Sequence, residues 1–246
     1  MSGFRKAMAA AVLVTAVAGC GSGASPGGTH TVGTASGGAA TAGGPSAGGA
    51  TAAGPGLADE KLAADPGTRY KAVAVPELEG LVCDEGDGGF HYGSDLDMRV
   101  TGDEGLKEIE GDSQDIADEV SCFGGRRNVL SKGTISAAAP MFTARTHLYE
   151  NVPDPAAALN GIFDASTELA TGYGRNFTGK ARTATSPALV VKCRQNVTDT
   201  FPMTTCFWAN YGAAGVVDFF PADGQYLPID SAVPWTRDFV AGALRK

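Results

Sequence analysis

The sequence predicts an α+β domain in which helices pack on one face of an antiparallel sheet. Three strand-like runs follow one another near the carboxyl end, at 188–193, 204–210 and 216–220, separated by turn-rich stretches. Consecutive strands joined by short turns pair antiparallel. Helix-like runs precede and follow these strands, so the order in the carboxy-terminal half is β-α-β-β-β-α.

Two elements are predicted earlier in the domain. Residues 90–101 give a strand candidate among many acidic and glycine residues. Residues 112–123 are predicted to form a helix, because Ile116, Val120 and Phe123 fall at i, i+4 and i+7 and therefore share one helical face.

The β-α pair that opens the carboxy-terminal half has clearer signals. Residues 141–149 alternate between two sets of side chains, which is the period of a strand with unlike faces. Asp154-Pro155 follows, a capping residue and then a proline at the first helical position. The helix that begins there is expected to bury Leu159, Ile162, Phe163 and Leu169.

A last helix is predicted from about Pro234 to the carboxyl end. Arg245-Lys246 suit the negative end of its dipole. Its apolar stripe consists of Trp235, Phe239, Val240, Ala243 and Leu244.

The amino terminus carries a pattern of its own. Basic residues precede an uncharged run over 7–18, the order of a secretory signal, and the run is too short to span a membrane. The run closes on Val-Ala-Gly-Cys at 17–20, which resembles the lipobox of bacterial lipoproteins. The resemblance implies cleavage before Cys20, a diacylglycerol on its sulfur and a mature protein on the outer face of the cytoplasmic membrane. Residues 1–19 are therefore predicted to be a lipoprotein signal peptide.

Residues 20–58 are predicted to be a flexible, disordered tether. The segment 21–56 contains thirteen glycines and no Asp, Glu, Lys or Arg, and it has almost no large apolar residues with which to fold. A coil of this composition has a root-mean-square reach of about 33 Å. Beyond it charged and large apolar residues are interleaved, so residues 59–246 are predicted to form a single extracytoplasmic domain.

Four cysteines remain in the domain, and an even number in an exported protein indicates two disulfides. Three connectivities are available. Cys193 and Cys206 flank a short insert between two strand-like runs, which favours their pairing across a hairpin, and Cys83 would then pair with Cys122. No two of the four lie within ten residues of each other, so neither a zinc site nor a Cys-x-x-Cys redox site is expected.

Charge restricts the partners of the mature chain. Removal of residues 1–19 leaves 17 basic against 27 acidic residues, so the formal charge changes from −8 to −10. An acidic chain without clustered Lys and Arg is not expected to bind nucleic acid. The predicted partners are the membrane, through lipid on Cys20, and an envelope protein or small ligand, with no cofactor or metal.

The candidates for acid/base chemistry are carboxylates in an acidic, glycine-rich region and the two histidines of the domain. They are Asp84, Asp87, Asp95, Asp97, His91 and His147. The carboxylate spacing does not match a calcium-binding EF-hand loop. Solvated acidic turns and half-exposed strand residues are the plain structural interpretation of these groups, and no local motif presents a nucleophile.

Two motif matches lack the structural context that their chemistry needs. Residues 174–181 approach a phosphate-binding loop but have Ala181 where the magnesium-binding hydroxyl belongs, and they are predicted to form a loop after a helix. Residues 44–48 match the nucleophile elbow of α/β-hydrolases but lie in the predicted tether, which cannot hold the strained turn.

The last 60 residues combine a cysteine at 193, a Cys-Phe-Trp-Ala strand at 206–209, a Gly-Val-Val strand at 215–217 and a Thr-Arg step at 236–237. This combination resembles the carboxy-terminal module of uncharacterised actinobacterial lipoproteins, over residues 187–246. Members of that group often have Asp where Asn210 stands. The resemblance implies a cell-surface location and no particular reaction.

Two functions of different class follow from these observations. The first is a non-enzymatic, lipid-anchored binding or surface module, for which a spacer and disulfides are typical. The alternative is a cell-envelope hydrolase that uses carboxylates of the acidic region with His91 or His147. A cleft that gathers these groups would favour the hydrolase, and their dispersal over open surface would favour binding.

Overall fold

The computed structural model describes residues 60–246 except 91–95, 102–104, 110–117, 126–127, 133, 199–200 and 222. The predicted signal peptide, the predicted tether and Cys20 lie outside the described residues, as do His91 and Asp95. Within the described part, no helix has both the length and the apolar character required to cross a bilayer.

Along the described chain, three helices separate groups of strands. The helices are α1 (Met98–Thr101), α2 (Pro155–Gly172) and α3 (Ile229–Ala243). The first strands are β1 (Ala72–Val73), β2 (Leu81–Glu85), β3 (Asp118–Gly124), β4 (Asn128–Lys132), β5 (Ile135–Ala139) and β6 (Phe142–Leu148). The remaining strands are β7 (Arg175–Thr185), β8 (Val190–Thr198), β9 (Phe201–Ala209), β10 (Ala213–Phe219) and β11 (Leu244–Arg245).

Seven of these strands form one antiparallel sheet in the order β2-β3-β6-β10-β9-β8-β7. Two further pairs, β1 with β11 and β4 with β5, form separate two-stranded ribbons. β8, β9 and β10 follow one another in the chain and pair as neighbours, as the sequence predicts. The predicted α+β class with an antiparallel sheet is therefore confirmed.

Each face of the sheet carries one of the two long helices. Cys206, Trp208 and Val217 pack into one core with α3, whereas Phe207 and Val216, at the alternate positions, pack with α2. The sequence predicts helices on one face. The second face is covered as well, because β9 and β10 are apolar at nearly every position and have no polar side to leave in water.

α2 begins as predicted at Asp154-Pro155. The Asp154 carboxylate accepts two backbone N–H groups of the first turn, at 3.1 and 3.0 Å. Three of the four predicted core residues, Leu159, Ile162 and Phe163, are buried. Leu169 is 41% exposed, because it lies at the margin of the buried stripe in the last turns of the helix.

α3 starts before the predicted position. It begins at Ile229, and Pro234 lies inside the helix, where it donates no backbone hydrogen bond. Burial offsets this loss, because Ala232 and Val233 are completely buried. Arg245 belongs to β11 rather than to the helix end. The predicted stripe packs into the core through Phe239, Val240 and Ala243, with Trp235 and Leu244 partly buried.

The predicted helix over 112–123 is wrong in its second half, where Asp118–Gly124 form β3. Residues 110–117 lie outside the described residues. Cys122 packs in the core and lies opposite Cys83 on β2. Pairing with β2 on one side and β6 on the other overrides the helical spacing.

Two further predictions differ from the structure. The strand candidate 90–101 ends in helix α1, because Asp97 caps this helix by accepting the backbone N–H of Arg99 at 2.8 Å. From Arg175 onward the predicted loop 174–181 is part of β7, and residues 175–178 pair with β8. Gly179, with a φ of +63°, lies at the register shift of this pair.

Two disulfides join neighbouring strands. Cys83–Cys122 links β2 to β3, and Cys193–Cys206 links β8 to β9. The members of each pair face each other in the strand register, and the connectivity is the one that the sequence favours. Both bridges belong to the core on the α3 side of the sheet.

Candidate functional site

The described acidic candidates lie on the surface or have structural roles. Asp84 is exposed on β2, and Asp87 forms a turn by accepting the Gly89 backbone N–H at 2.7 Å. Asp97 is 4% exposed, and hydrogen bonding from the Arg99 side chain is the main reason why its pKa is lowered. A carboxylate held ionised in this way is poorly suited to take up a proton near neutral pH.

His147 is a buried histidine of the sheet. Its ring stacks on Tyr149, and its Nδ1 lies 3.2 Å from Oε1 of Glu108, a contact that is an ion pair only when the imidazole is protonated. Burial, and secondly the charge of Arg145, lowers the pKa of His147 to about 4. At neutral pH the imidazole is therefore uncharged, and it lines none of the three cavities described next.

Three cavities of the described surface are large enough for a small ligand. One, of about 370 Å³, is an open polar cleft between α2 and β7. Another, of about 360 Å³, lies beside the carboxy-terminal part of α3. The largest, of about 390 Å³, is the most apolar of the three. Among the described residues, no group of three or more His, Cys, Asp or Glu side chains is placed to hold a metal ion.

The largest of these three cavities, here named the apolar pocket, lies where the chain passes from β10 to α3. Residues of the connecting segment line it together with Gly124 at the end of β3 and Asn128 at the start of β4. The pocket is lined by Gly124, Asn128, Met141, Phe220, Asp223, Gln225, Tyr226, Leu227 and Pro228.

Hydrogen bonds fix the walls of the apolar pocket. The Met141 N–H donates to the Cys122 carbonyl at 2.7 Å, and the Phe220 N–H donates to the Met141 carbonyl at 2.9 Å. The Thr204 hydroxyl donates to the Leu227 carbonyl at 2.6 Å. These bonds tie both ends of the connecting segment to the sheet.

The chemistry of the apolar pocket suits binding. Met141, Phe220 and Leu227 supply an apolar wall, and the amides of Asn128 and Gln225 supply hydrogen-bonding groups. A mainly apolar cavity with a few polar groups, of about 300 to 1,000 Å³, is typical of small-molecule sites. The lining residues include no histidine, serine or cysteine that could act as a base or nucleophile.

The chain matches no protein-family model, no curated protein and no solved structure with which it was compared. No activity or partner is therefore transferred from a relative. Inference of function depends on the cavities, the disulfides and the amino-terminal sequence pattern.

Sequence patterns do not identify the apolar pocket. Tyr226 lies in the turn-rich connection between β10 and α3, where neither helical nor strand periodicity applies, and Phe220, the last residue of the predicted strand 216–220, follows the end of β10. The one available signal is Tyr226-Leu227-Pro228, an apolar run that belongs to no predicted element. The residues come from four separate parts of the chain, and only the strand order brings them together.

Proposed function

We propose that this protein is a lipid-anchored module on the outer face of the cytoplasmic membrane, and that it binds an apolar or aromatic group of an envelope ligand. The apolar pocket is the observation that carries the binding part of this proposal. The ligand belongs to the class of small molecules or protein segments with one exposed apolar group.

The location is supported by sequence and by redox chemistry. The lipobox-like pattern ends at Cys20, and the segment after it has the composition of a flexible spacer. Disulfides persist in oxidising compartments, and two disulfides are present in the domain. A spacer and a cross-linked domain together suit a protein displayed outside the cell.

The size and the mainly apolar lining of the pocket predict a modest affinity for a ligand that buries only an apolar group there. An aromatic group that loses about 150 Å² of exposed surface gains about 4 kcal/mol, and association entropy removes much of this gain. Tight binding therefore requires the polar groups of Asn128, Asp223 and Gln225 as well. A ligand with an apolar group and a nearby hydrogen-bonding group fits this arrangement.

The hydrolase interpretation has less support among the described residues. His147 is buried, so a substrate in solvent has little access to it. Its pKa of about 4 leaves it uncharged at neutral pH. Asp97 is ion-paired, and Asp84 is exposed on an outer strand. Asp84, Asp97 and His147 line none of the three cavities described above.

A neutral fluorescent probe, N-phenyl-1-naphthylamine, tests the apolar pocket. The protein used is the mature chain with Cys20→Ala, which requires no detergent that would compete for the pocket. We expect saturable binding of the probe to this chain. Tyr226→Ala removes part of the aromatic wall, so we expect the dissociation constant to rise by about tenfold, since an aromatic contact contributes about 1.5 kcal/mol.

Tyr173→Ala is the matched control. Tyr173 is 83% exposed at the end of α2 and does not line the apolar pocket, so its removal leaves probe binding unchanged. Equal probe affinity in the Tyr226→Ala and Tyr173→Ala chains, with both folded by circular dichroism, would contradict the proposal.

A further inference from the structure

The two disulfides occupy different places in the seven-stranded sheet. Cys83–Cys122 joins β2, the strand at one end of the strand order, to β3. Cys193–Cys206 joins β8 to β9, and each of these strands pairs with a further strand along its other edge. The first bridge therefore lies at the margin of the sheet, and the second lies in its interior.

Burial distinguishes the two bridges as well. Cys122, Cys193 and Cys206 are completely buried, whereas Cys83 is only partly buried. Its neighbours in β2 are open to solvent, with Val82 67% exposed and Asp84 also exposed. Exchange of a disulfide requires a thiolate to reach one of the two sulfurs. Cys83 is therefore the cysteine at which an external thiol enters most readily.

β2 is held less firmly than the strands of the interior bridge. It has five residues, and β3 is its one neighbour among the strands of the described chain. β8 and β9 have nine residues each and are paired on both edges. A short edge strand opens locally at a lower free energy than strands in the middle of a sheet. Opening of β2 exposes the Cys83–Cys122 bridge while β8 and β9 stay paired.

β3 connects this bridge to the apolar pocket. Gly124, which lines the pocket, pairs with Leu81 of β2. The Cys122 carbonyl accepts the N–H of Met141, a second lining residue, at 2.7 Å. β2 and its bridge therefore support two residues of the pocket wall.

We propose that Cys83–Cys122 is a redox switch of the apolar pocket, operated by an external dithiol of the thiol–disulfide oxidoreductase class. The oxidised bridge holds β2 on β3 and keeps the pocket wall in place. Reduction lets β2 detach, so the pocket binds its ligand less tightly. The inference rests on the proposed function, because it concerns regulation of the same pocket.

The exchange takes two steps. A thiolate of the reductant attacks the Cys83 Sγ, which forms a mixed disulfide and releases Cys122 as a thiolate. The second thiol of the reductant then attacks the mixed disulfide and releases Cys83. The reductant leaves as a disulfide, and its two electrons and two protons pass to the two cysteines.

Thiol mapping under native conditions tests the accessibility of the bridge, with the mature Cys20→Ala chain as the protein. Dithiothreitol is the dithiol, because it carries no carboxylate that Asp84 and Glu85 would repel. Free thiols are alkylated at successive times and located by peptide mass spectrometry. We expect Cys83 and Cys122 to be labelled about tenfold or more faster than Cys193 and Cys206.

Binding of N-phenyl-1-naphthylamine before and after this selective reduction tests the switch. We expect the dissociation constant to rise by about fivefold or more, because a loosened wall must be ordered again on binding. Reoxidation is expected to restore the original affinity. Circular dichroism checks that the reduced chain stays folded.

Two single-bridge variants are the matched controls. Cys193→Ala/Cys206→Ala keeps only the proposed switch, and we expect it to respond to dithiothreitol as the parent does. Cys83→Ala/Cys122→Ala lacks the switch, and we expect weaker probe binding that is the same with and without dithiothreitol. The second variant also controls for direct effects of the reductant on the probe.

The parent measurements need no cysteine variant of the domain, so they decide even if a variant does not fold. Equal labelling rates for the two bridges, loss of the fold on selective reduction, or unchanged probe affinity in the reduced chain would overturn the switch. In the last case the proposed function would stand, because the oxidised chain still binds the probe. Absence of probe binding by the oxidised chain would instead overturn the proposed function and the switch with it.

Discussion

Arg175 and Asp218 place two opposite charges in the interior of the sheet. Their side chains are 2% and 5% exposed, and the guanidinium lies 3.1 Å from the carboxylate. The Thr205 hydroxyl donates to the same carboxylate, and the Asn196 amide donates to Thr205 at 2.8 Å. Burying a charge is unfavourable unless it is paired and hydrogen-bonded, and this cluster meets both conditions.

We predict that Arg175→Met destabilises the domain by about 3 to 5 kcal/mol, because it leaves the Asp218 carboxylate buried without its counter-charge. The double variant Arg175→Met/Asp218→Leu removes both charges, so we expect it to be more stable than Arg175→Met alone. Urea unfolding of the parent, both single variants and the double variant measures this difference. Additive losses in the double variant would contradict the prediction.

His147 makes the stability of the domain depend on pH. Its pKa is 6.5 in the unfolded chain and about 4 in the folded protein, so the unfolded state binds a proton first as the pH falls. Stability due to the neutral imidazole is complete above pH 6.5 and is lost as the pH falls toward 4.

We therefore predict that His147→Gln reduces the slope of unfolding free energy against pH in this window. The parent chain and the variant are compared by urea unfolding at several pH values from 4 to 7, so that carboxylates common to both cancel. His30→Gln is the control, because His30 lies in the predicted tether, outside the predicted domain whose unfolding is measured. An unchanged slope in His147→Gln would show that burial does not depress this pKa.

At the scale of elements, the two disulfides constrain the unfolded chain to different extents. Cys83–Cys122 joins residues 39 apart, and Cys193–Cys206 joins residues 13 apart. Loop-closure entropy gives about 4 kcal/mol for the longer loop and about 3 kcal/mol for the shorter one.

We predict that reduction costs about 1 kcal/mol more stability for Cys83–Cys122 than for Cys193–Cys206. Two variants, each retaining a single bridge and carrying alanine at the other two cysteines, are unfolded in urea with and without reductant. The variant without any of the four cysteines is the control for direct effects of the reductant. An equal or reversed difference would indicate that native packing around the sulfurs outweighs chain entropy.

At the scale of the whole molecule, the proposed location of the protein depends on one residue, Cys20, which lies outside the described residues. Two or more acyl chains on Cys20 would anchor the protein stably, since each buried CH₂ contributes about 0.8 kcal/mol and one chain alone binds only marginally. In this proposal, the lipid on Cys20 supplies the membrane association.

We predict that Cys20→Ala transfers the protein from the membrane fraction to the soluble fraction of a bacterial host. Ser22→Ala, two residues further along, is the matched control and is expected to remain in the membrane fraction. Fractionation and immunoblotting measure the distribution, and mass spectrometry of the mature amino terminus identifies the lipid. Membrane retention of Cys20→Ala would remove the lipid anchor from the proposed function.

Where the chemistry is local in the chain, the sequence by itself determined the structure. Asp154-Pro155 marks the start of α2, because a cap and a proline act within one helical turn. The hairpins of β8, β9 and β10 follow from apolar runs between turn residues, and they place Cys193 opposite Cys206. Periodicity and turn chemistry are short-range properties, and a single sequence contains them in full.

Where neighbours from distant parts of the chain compete with local preference, only the tertiary structure decided. Residues 118–124 have helical spacing, yet they form β3 because β2 and β6 pair with both of their edges. Arg175 belongs to the segment 174–181, whose sequence approaches a phosphate-binding loop. In the structure its side chain is buried beside Asp218, 43 residues further along the chain. The walls of the apolar pocket likewise come from distant segments, whose contacts exist only after the chain has folded.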